Sequence, residues 1–536
     1  MVDYIIIGGG SAGCVLANRL SEDPAVEVLL LEAGKKDNHL NISIPAAFSK
    51  LFKSSWDWAF YSTPQTHMYD KELFLPRGKT LGGSSSINAM IYIRGHRLDY
   101  DQWAKLGNEG WGYDDILPYF KKSMHQERGV DDFHGVNGPQ NVADVREPFP
   151  MSKAFIKAGE ELGYKKNPDF NGEEQDGFGM YQVTQKDGKR QSSARSFLRP
   201  AMKRPNLTVL TEAPAQRIII ENGRAVGIEY QTPTHIKEVR ARKEVILCAG
   251  AYQSPQLLML SGIGPADHLQ SHDVDVKLDL PGVGENLLDH LIVPMIFKSQ
   301  AKASLDDAEN ISNLLKFLVW GEGPLTCNVA EGGAFVRTLP ELPAPDIQFH
   351  MGPAFFKNHG FERLKKGRAI SFGPTLLQPE SIGRISLQSN RPGDAPLIDH
   401  NYLARQEDVD ALARGIKIGY ELAHTEALRP FAGKPLHPKT RLFSDNDIEE
   451  YIRRNAQTLY HPVGTCKMGQ DDMAVVDDQL CVHGIDGLRV VDASVMPTIV
   501  RGNTHAPVMM IAERAADLIM GKVPVKAKKA VENMAS

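Results

Sequence analysis

Cysteine is scarce in this 536-residue chain: Cys14, Cys248, Cys327, Cys466 and Cys481 are five in number and far apart. No C-x-x-C pair or zinc spacing occurs, which excludes a disulfide-stapled fold and makes a reducing, cytoplasmic compartment the expectation. An excess of positive charge is also missing. Lys plus Arg is 61 and Asp plus Glu is 66, a net charge of −5, so nucleic acid is not an expected partner. No run of about 18 apolar residues occurs, so no spanning helix is expected; peripheral contact with the inner face of a membrane stays open. The opening Met1-Val-Asp-Tyr-Ile-Ile-Ile-Gly8 leads into glycines rather than a small-residue cleavage site, and no signal peptide is read. His268 and His272 stand four apart without an H-E-x-x-H motif, and no metal is expected. Repeats and low-complexity linkers are absent, and Lys526, Lys528 and Lys529 read as a solvated tail.

Against these absences stands an ordinary globular composition, 42% hydrophobic and 24% charged. The length predicts about three or four domains, or two large ones, with a sizeable core. Tyr4–Ile7 reads as a buried parallel strand. Gly8, Gly10 and Gly13 follow in G-x-G-x-x-G register, with Ser11 and Ala12 between them, and Cys14–Leu20 reads as a helix. Val26–Leu31 is a second strand, ending in Glu32-Ala33-Gly34. Gly8 permits the tight turn, Gly10 lets backbone approach a pyrophosphate, and Gly13 lets helix and strand pack closely. The helix N-terminus offers N–H groups to phosphate. Glu32 can accept hydrogen bonds from both ribose hydroxyls, and an acid there argues against a 2′-phosphate, hence against NADP. Strand, loop, helix, strand and acid in this order predict a bound dinucleotide. The loop alone leaves FAD and NAD open, although the Glu32-Ala33-Gly34 ending is the one usual in FAD-binding versions.

Two further motifs are rich in glycine and serine. Gly78-Lys-Thr-Leu-Gly-Gly-Ser-Ser-Ser-Ile-Asn88 continues into Ala89-Met-Ile-Tyr-Ile-Arg-Gly95 and can lie against a flat or charged ligand. Gly250–Gly264 follows a strand over Glu244–Ala249; Pro255 can begin a helix there, and Gly262 and Gly264 end it. Together these motifs resemble the two signatures of the glucose–methanol–choline (GMC) flavin oxidoreductases, from about residue 2 to about residue 521.

The resemblance implies FAD, with Gly82, Gly83, Ser84, Asn88, Ala89 and Met90 along the flavin or its ribityl chain. Some relatives carry a flavin-linked histidine just before the position of Asn88; Ile87 stands there, which predicts non-covalent FAD. Asn206–Ile218 looks like the strand pair that meets the adenine, with Ala215 where valine is usual. Asp492 and Ala493 correspond to residues near the pyrophosphate and ring. His461, in Tyr460-His-Pro-Val-Gly464, falls at the catalytic histidine, and imidazole suits removal of a hydroxyl proton near neutral pH. Asn503 matches the second catalytic position, where an amide can hold the oxygen as it becomes alkoxide-like; the alternative is a cap on the following helix. His505 departs from the usual Asn-x-Asn-Ala-Pro and is expected to contact the flavin, with an altered redox potential if it were charged. Cys466 follows His461 by five residues, but no acyl-transfer motif accompanies it and it reads as packed.

The expected fold is α/β: a Rossmann-like FAD-binding domain made of residues 1–150, 195–292 and 456–525, a mainly antiparallel-sheet substrate domain from 151–194 and 293–455, and a tail over 526–536. Asp346–His350, Arg368–Phe372 and Gly383–Gln388 read as antiparallel strands of a sheet roofing the flavin, and Asp408–Ala423 as a helix. The aromatic cluster of Trp56, Trp58, Phe60 and Tyr61 could hold a choline-like ammonium, though core packing is the simpler reading. Glu331 aligns with an acid common to choline and aliphatic-alcohol dehydrogenases of the family and does not select choline. Tyr460–Gly469 with Gly502-Asn-Thr504 looks more like the bacterial aliphatic-alcohol and polyethylene-glycol dehydrogenases. The expected reaction is oxidation of a primary alcohol to an aldehyde, with electrons passed to a quinone-type or artificial acceptor. The alternatives are an alcohol or choline oxidase that uses oxygen, and a hydroxynitrile lyase that holds FAD without using its redox chemistry.

Overall fold

A computed structural model describes residues 1–440 and 444–522. The expected tail, with Lys526, Lys528 and Lys529, and the last residues of the third nucleotide segment lie outside the described residues.

The apolar runs at the start of the chain are buried strands. Val2–Ile7 and Val28–Leu31 pair in parallel, and four successive residues of the second are buried. Neighbouring parallel strands complete the core in the order Leu207–Leu210, Val28–Leu31, Val2–Ile7, Ile236–Leu247 and Leu488–Val490. The expected strand over Glu244–Ala249 is longer and ends at Leu247; it begins at Ile236. Its first half carries alternating Lys, Glu and Arg, faces water, and pairs antiparallel with Arg224–Gln231, which pairs with Ala215–Glu221. The two strands expected to meet the adenine are therefore not paired with each other: Leu207–Leu210 and Ala215–Glu221 stand at opposite ends of the strand order.

Helices Ser11–Leu20 and His505–Ile519 pack together over this sheet. Arg19 grips the fully buried Glu513 with two N–H groups, at 2.9 and 2.7 Å. Lys122, on helix Tyr113–Ser123, reaches Glu513 at 3.3 Å and Asp517 at 3.0 Å. Two cations around one buried carboxylate tie three helices that are remote in sequence.

The second sheet has eight strands, antiparallel throughout. Its main path runs Pro435–His437, Met295–Ser299, Arg368–Leu376, Ile347–Gly352, Gly332–Val336 and Gly177–Met180. Leu291–Ile292 and Gln457–Thr458, which fall at the ends of segments assigned from sequence to the nucleotide domain, pair with each other, and Ile292 pairs with Thr375 of this sheet. The stretch Gly383–Gln388 is not one of its strands. Arg384–Ser386 forms a separate hairpin with Leu397–Asp399. Backbone bonds from Ile385 to Gly284 and between Leu287 and Gly383 already occupy its free edge. The helix expected over Asp408–Ala423 spans Gln406–His424 and covers the sheet.

Glu331 faces this packing rather than a cavity. It is fully buried, and its Oε2 accepts from the Phe149 N–H at 2.9 Å and the Ser152 hydroxyl at 2.6 Å. Helix Pro150–Glu161 has no side-chain cap of its own, and this distant carboxylate anchors its N-cap residue and a first-turn hydroxyl. Glu331→Ala leaves both donors unpaired in a dry site and is expected to cost about 2 kcal/mol of stability. A guanidinium unfolding midpoint equal to that of the parent would contradict this role.

Candidate functional site

One cavity runs between the two sheets, from the first glycine loop to a histidine cluster under the antiparallel sheet. Gly8 has φ +106°, and a Cβ there would lie 2.4 Å from the Cys248 carbonyl. Gly13 brings helix against strand so closely that a Cβ would lie 2.0 Å from the Gly8 carbonyl. At Gly10 the nearest atom to a built Cβ is 3.9 Å away, so this side of the loop is open to the cavity. Glu32 accepts from Gly9 N–H at 2.9 Å on one oxygen and from Gly34 N–H at 2.7 Å on the other. Burial nevertheless pushes its carboxyl up to about 7, and further donors from a ligand would favour its ionised form.

The second glycine-serine loop closes over the first. Gly82 N–H donates to the Gly9 carbonyl at 2.7 Å, and Gly83 abuts Gly10. Gly8, Gly10, Ser11, Ala12, Glu32, Ala33, Gly83, Ser84, Asn88, Ala89, Met90, Ala215, Asp492, Ala493 and His505 all line the cavity. Gly13 and Gly82 do not: they pack behind it, Gly82 against Ser86. Asp492 reaches the wall, but its carboxylate points inward, accepting from Gly250 N–H, Ser254 Oγ, Ser494 N–H and Ser494 Oγ at 2.6–2.8 Å. It organises the loops around the site and has little capacity left for a ligand.

His505 is the first residue of its helix, and its Nδ1 lies 3.0 Å from the Ser11 hydroxyl. Its Nε2 is buried and unpartnered. Burial, helped by Arg190, lowers its pKa to about 4, so the ring is neutral and the charged form considered from sequence does not arise near neutral pH. Open space at Gly10, the paired backbone N–H groups on Glu32 and the orphaned imidazole nitrogen of His505 together fit a long polar ligand with a flat end.

The histidine end is held by hydrogen bonds. His461 Nδ1 lies 2.9 Å from His290 Nδ1, and His290 Nε2 lies 3.1 Å from the Leu377 carbonyl. A carbonyl can only accept, so His290 carries its proton on Nε2. Burial lowers the pKa of His290 to about 3, leaving it neutral with a bare Nδ1. His461 therefore donates from its own Nδ1, and its Nε2 holds a lone pair. That nitrogen is 3.2 Å from Asn503 Nδ2, whose Oδ1 accepts from Gln348 at 3.4 Å. Asn503 does not cap the helix; Thr504 holds that position. Burial, then His290, His350 and Arg77, depress the pKa of His461 well below 6.5.

Several lining or supporting residues carried no local signal. His290 and His350 sit beside none of the motifs read from the sequence. His350 Nδ1 meets Thr375 Oγ1 at 3.1 Å and its Nε2 is unpartnered. Asn328 donates to the Ala89 carbonyl at 2.9 Å and supports the ring loop. Met90, Val329 and Tyr460 line the cavity with φ of 60°, 72° and 71°. Side-chain-bearing residues in this region cost about 1–3 kcal/mol each, a strain that clusters at functional sites. Of the aromatic cluster, Trp58 reaches the cavity but stacks on Phe60, and Lys79 lies 4.2 Å over its ring, so that face already holds a cation. Cys466 is fully buried, and burial raises its thiol well above its usual range. Among the described residues no group of three or more potential ligands could hold a metal ion, and no helix is long and apolar enough to cross a membrane.

Residues 2–292 and 379–512 match two family models, both described as GMC oxidoreductase. The chain is 46% identical to an alcohol dehydrogenase [acceptor] of Pseudomonas putida, over 98% of its length and 96% of the relative's. It is 43% identical to the mitochondrial choline dehydrogenase of Homo sapiens, over 97% and 90% of the two lengths. The solved structure of an Aspergillus oryzae formate oxidase, studied for FAD modification, superposes with a TM-score of 0.92 at 29% identity, covering 97% and 98% of the two chains.

The buried neutral histidines set a pH dependence of stability. Burial lowers His290, His350, His359 and His400 each to about 3, against an unfolded value near 6.5. The unfolded chain therefore binds more protons between these limits. Stability is full above pH 6.5 and falls as pH drops, by up to about 1.4 kcal/mol per unit for each histidine. His400 hydrogen-bonds Tyr252 at 2.9 Å. His400→Gln, which cannot titrate, is expected to flatten the fall in melting temperature between pH 6.5 and 5. An unchanged slope would show that His400 is not neutral in the fold.

Proposed function

The chain belongs to the GMC oxidoreductase family, and on that premise we propose that it oxidises an uncharged primary alcohol to an aldehyde with non-covalent FAD, His461 acting as base. FAD is the cofactor of this fold, and bound there it supplies the hydride acceptor. The glycine loops, Glu32 and the N-terminus of Ser11–Leu20 would hold its adenosine and pyrophosphate; Asn88, Ala89, Met90 and His505 would meet the ring end. Ile87 before Asn88 has no nucleophile for a covalent link.

The observation that carries the mechanism is the unprotonated Nε2 of His461, whose lone pair accepts from the Asn503 amide at 3.2 Å until a substrate hydroxyl displaces that contact. An alcohol hydroxyl entering between them donates to Nε2, while Asn503 Nδ2 donates to its oxygen. The hydroxyl proton passes to His461 Nε2 as the C=O bond forms; the flavin, when bound, would accept the carbon-bound hydrogen as hydride. His461 then carries the proton as imidazolium. Asn503 stabilises the developing negative oxygen.

The substrate class follows from what lines the same end. Phe48, Phe52, Ile292, Met351, Phe356 and Phe372 supply an apolar wall near Tyr460 and His461. Among the described lining residues the carboxylates are Glu32 and Asp492, both at the nucleotide end, whereas Arg77 stands in the wall and donates to the Tyr460 carbonyl at 2.6 Å. A quaternary ammonium would be desolvated there without a counter-ion, so a neutral alkyl or aryl alcohol fits better than choline. The P. putida relative is named as a dehydrogenase with an unspecified acceptor, which supports transfer of the electrons to a separate acceptor; a quinone-type acceptor is our reading of it.

His461→Ala is expected to slow anaerobic flavin reduction by about 10²–10⁴-fold; a loss below tenfold would remove His461 as the base. The depressed pKa keeps the imidazole neutral to low pH, so the acid limb of kcat/KM is expected below pH 6.5. In anaerobic titrations followed near the flavin band, 1-alkanols or benzyl alcohol are expected to bleach the bound flavin at concentrations where choline does not. Bleaching by choline alone would refute the uncharged-substrate reading, and readmitted air separates a dehydrogenase from an oxidase.

A further inference from the structure

A cation with no counter-ion lies behind the loop that lines the ring end of the cavity. Arg190, the last residue of the short strand Lys189–Arg190, is fully buried. Its Nε donates to the Ile42 carbonyl at 2.8 Å, and its Nη1 donates to the Ser85 carbonyl at 3.1 Å and to Asn88 Oδ1 at 2.7 Å. Its Nη2 is buried without a partner. Among the described residues no carboxylate comes within ion-pair distance of it, although nearby Arg199 pairs with Asp37. The charged neighbour it does have is another cation, Arg195, whose Nη1 donates to the Arg190 carbonyl at 2.9 Å. Burial and Arg195 lower its pKa to about 9, which still leaves it charged at neutral pH.

An unpaired buried charge is costly, and two features show where its influence goes. Asn88 Oδ1 accepts both from Arg190 and from the Met90 N–H at 3.0 Å. With its oxygen turned to these donors, the Asn88 amide has its Nδ2 hydrogens left for the cavity that Asn88 lines. His505, also in the lining, has its proton affinity lowered by the Arg190 charge, so the field of the guanidinium reaches the cavity.

We propose that Arg190 is a positioning residue of the cofactor site: it clamps the Asn88 amide with its N–H groups facing the ring, and its unpaired charge favours the electron-rich, reduced state of that ring. This rests on FAD as the bound group and not on which alcohol is oxidised. Hydride arrival adds an electron pair and with it negative charge to the ring, while the alcohol proton stays on His461. The lining acids Asp492 and Glu32 are held by other donors away from this loop, whereas Arg190 bonds the loop directly at Ser85 and Asn88.

The test uses the FAD-loaded protein and sulfite, which adds to flavin and places negative charge on the ring without any alcohol. Arg190→Met is expected to weaken sulfite binding at least tenfold. Arg190→Lys keeps the charge but not the forked clamp. It is expected to hold sulfite affinity within threefold of the parent while releasing FAD faster. Sulfite affinity within threefold of the parent in Arg190→Met overturns the proposal. If the methionine variant does not fold or load, the lysine variant decides: retained sulfite affinity with faster FAD release supports the proposal, and sulfite affinity lost by tenfold, or FAD release unchanged, overturns it. Failure of the alcohol reading shows separately, as no bleaching by any alcohol in a parent protein that still binds FAD and sulfite.

Discussion

Asp289 is buried between the two sheets and accepts four hydrogen bonds, two on each oxygen: His290 N–H and His461 N–H on Oδ1, Tyr402 OH and Thr458 OH on Oδ2. Burial raises its pKa while these donors favour the ionised form. The carboxylate fixes the backbone on both sides of the His290–His461 contact, one residue from each of two segments 171 apart. Tautomer, orientation and the accessible lone pair of His461 all follow from that placement. A site built this way gains its precision from main-chain anchoring rather than from side-chain packing alone.

Neutrality is the second theme of the cavity. His290, His350, His461 and His505 are all held uncharged by burial. A cluster of imidazoles that were charged would repel the proton that the reaction must deliver there. Kept neutral, they form a polar but uncharged wall in which one group can take up a proton while the others orient it. Two fixed charges stand further back, Asp289 behind the histidines and Arg190 behind the ring loop, while Arg77 stands in the wall itself.

What could be read from sequence was the part that is local in sequence. The strand–glycine–helix–strand–acid series is contiguous, and the structure places it as expected because each residue's reason lies within about thirty positions. The ring loop, His461 and Asn503 were legible through resemblance, and they converge on one cavity. Illegible were the partners supplied from far away: His290 for His461, Arg190 for Asn88, Asn328 for Ala89. Each is a single polar residue whose meaning depends on which strand folds over it, and periodicity carries no such information. The misplaced strand at 383–388 has the same origin. Its alternation buries Ile385 and Leu387, yet alternation does not say against which edge a strand will lie. Asp492 shows the converse, a residue at the expected place whose lone pairs are spent on its own loops.

The buried Glu513 joins Arg19 across 494 residues of chain. During synthesis the first strand and its glycine loop emerge long before the helix that covers them. At about 5–20 residues per second, roughly 25–100 s separate the two. Through that interval helix Ser11–Leu20 lacks the helix that packs on it, Arg19 lacks its acid, and the cofactor cradle lacks Asp492, Asn503 and His505. The nucleotide-binding half therefore cannot be completed until translation reaches the last helix.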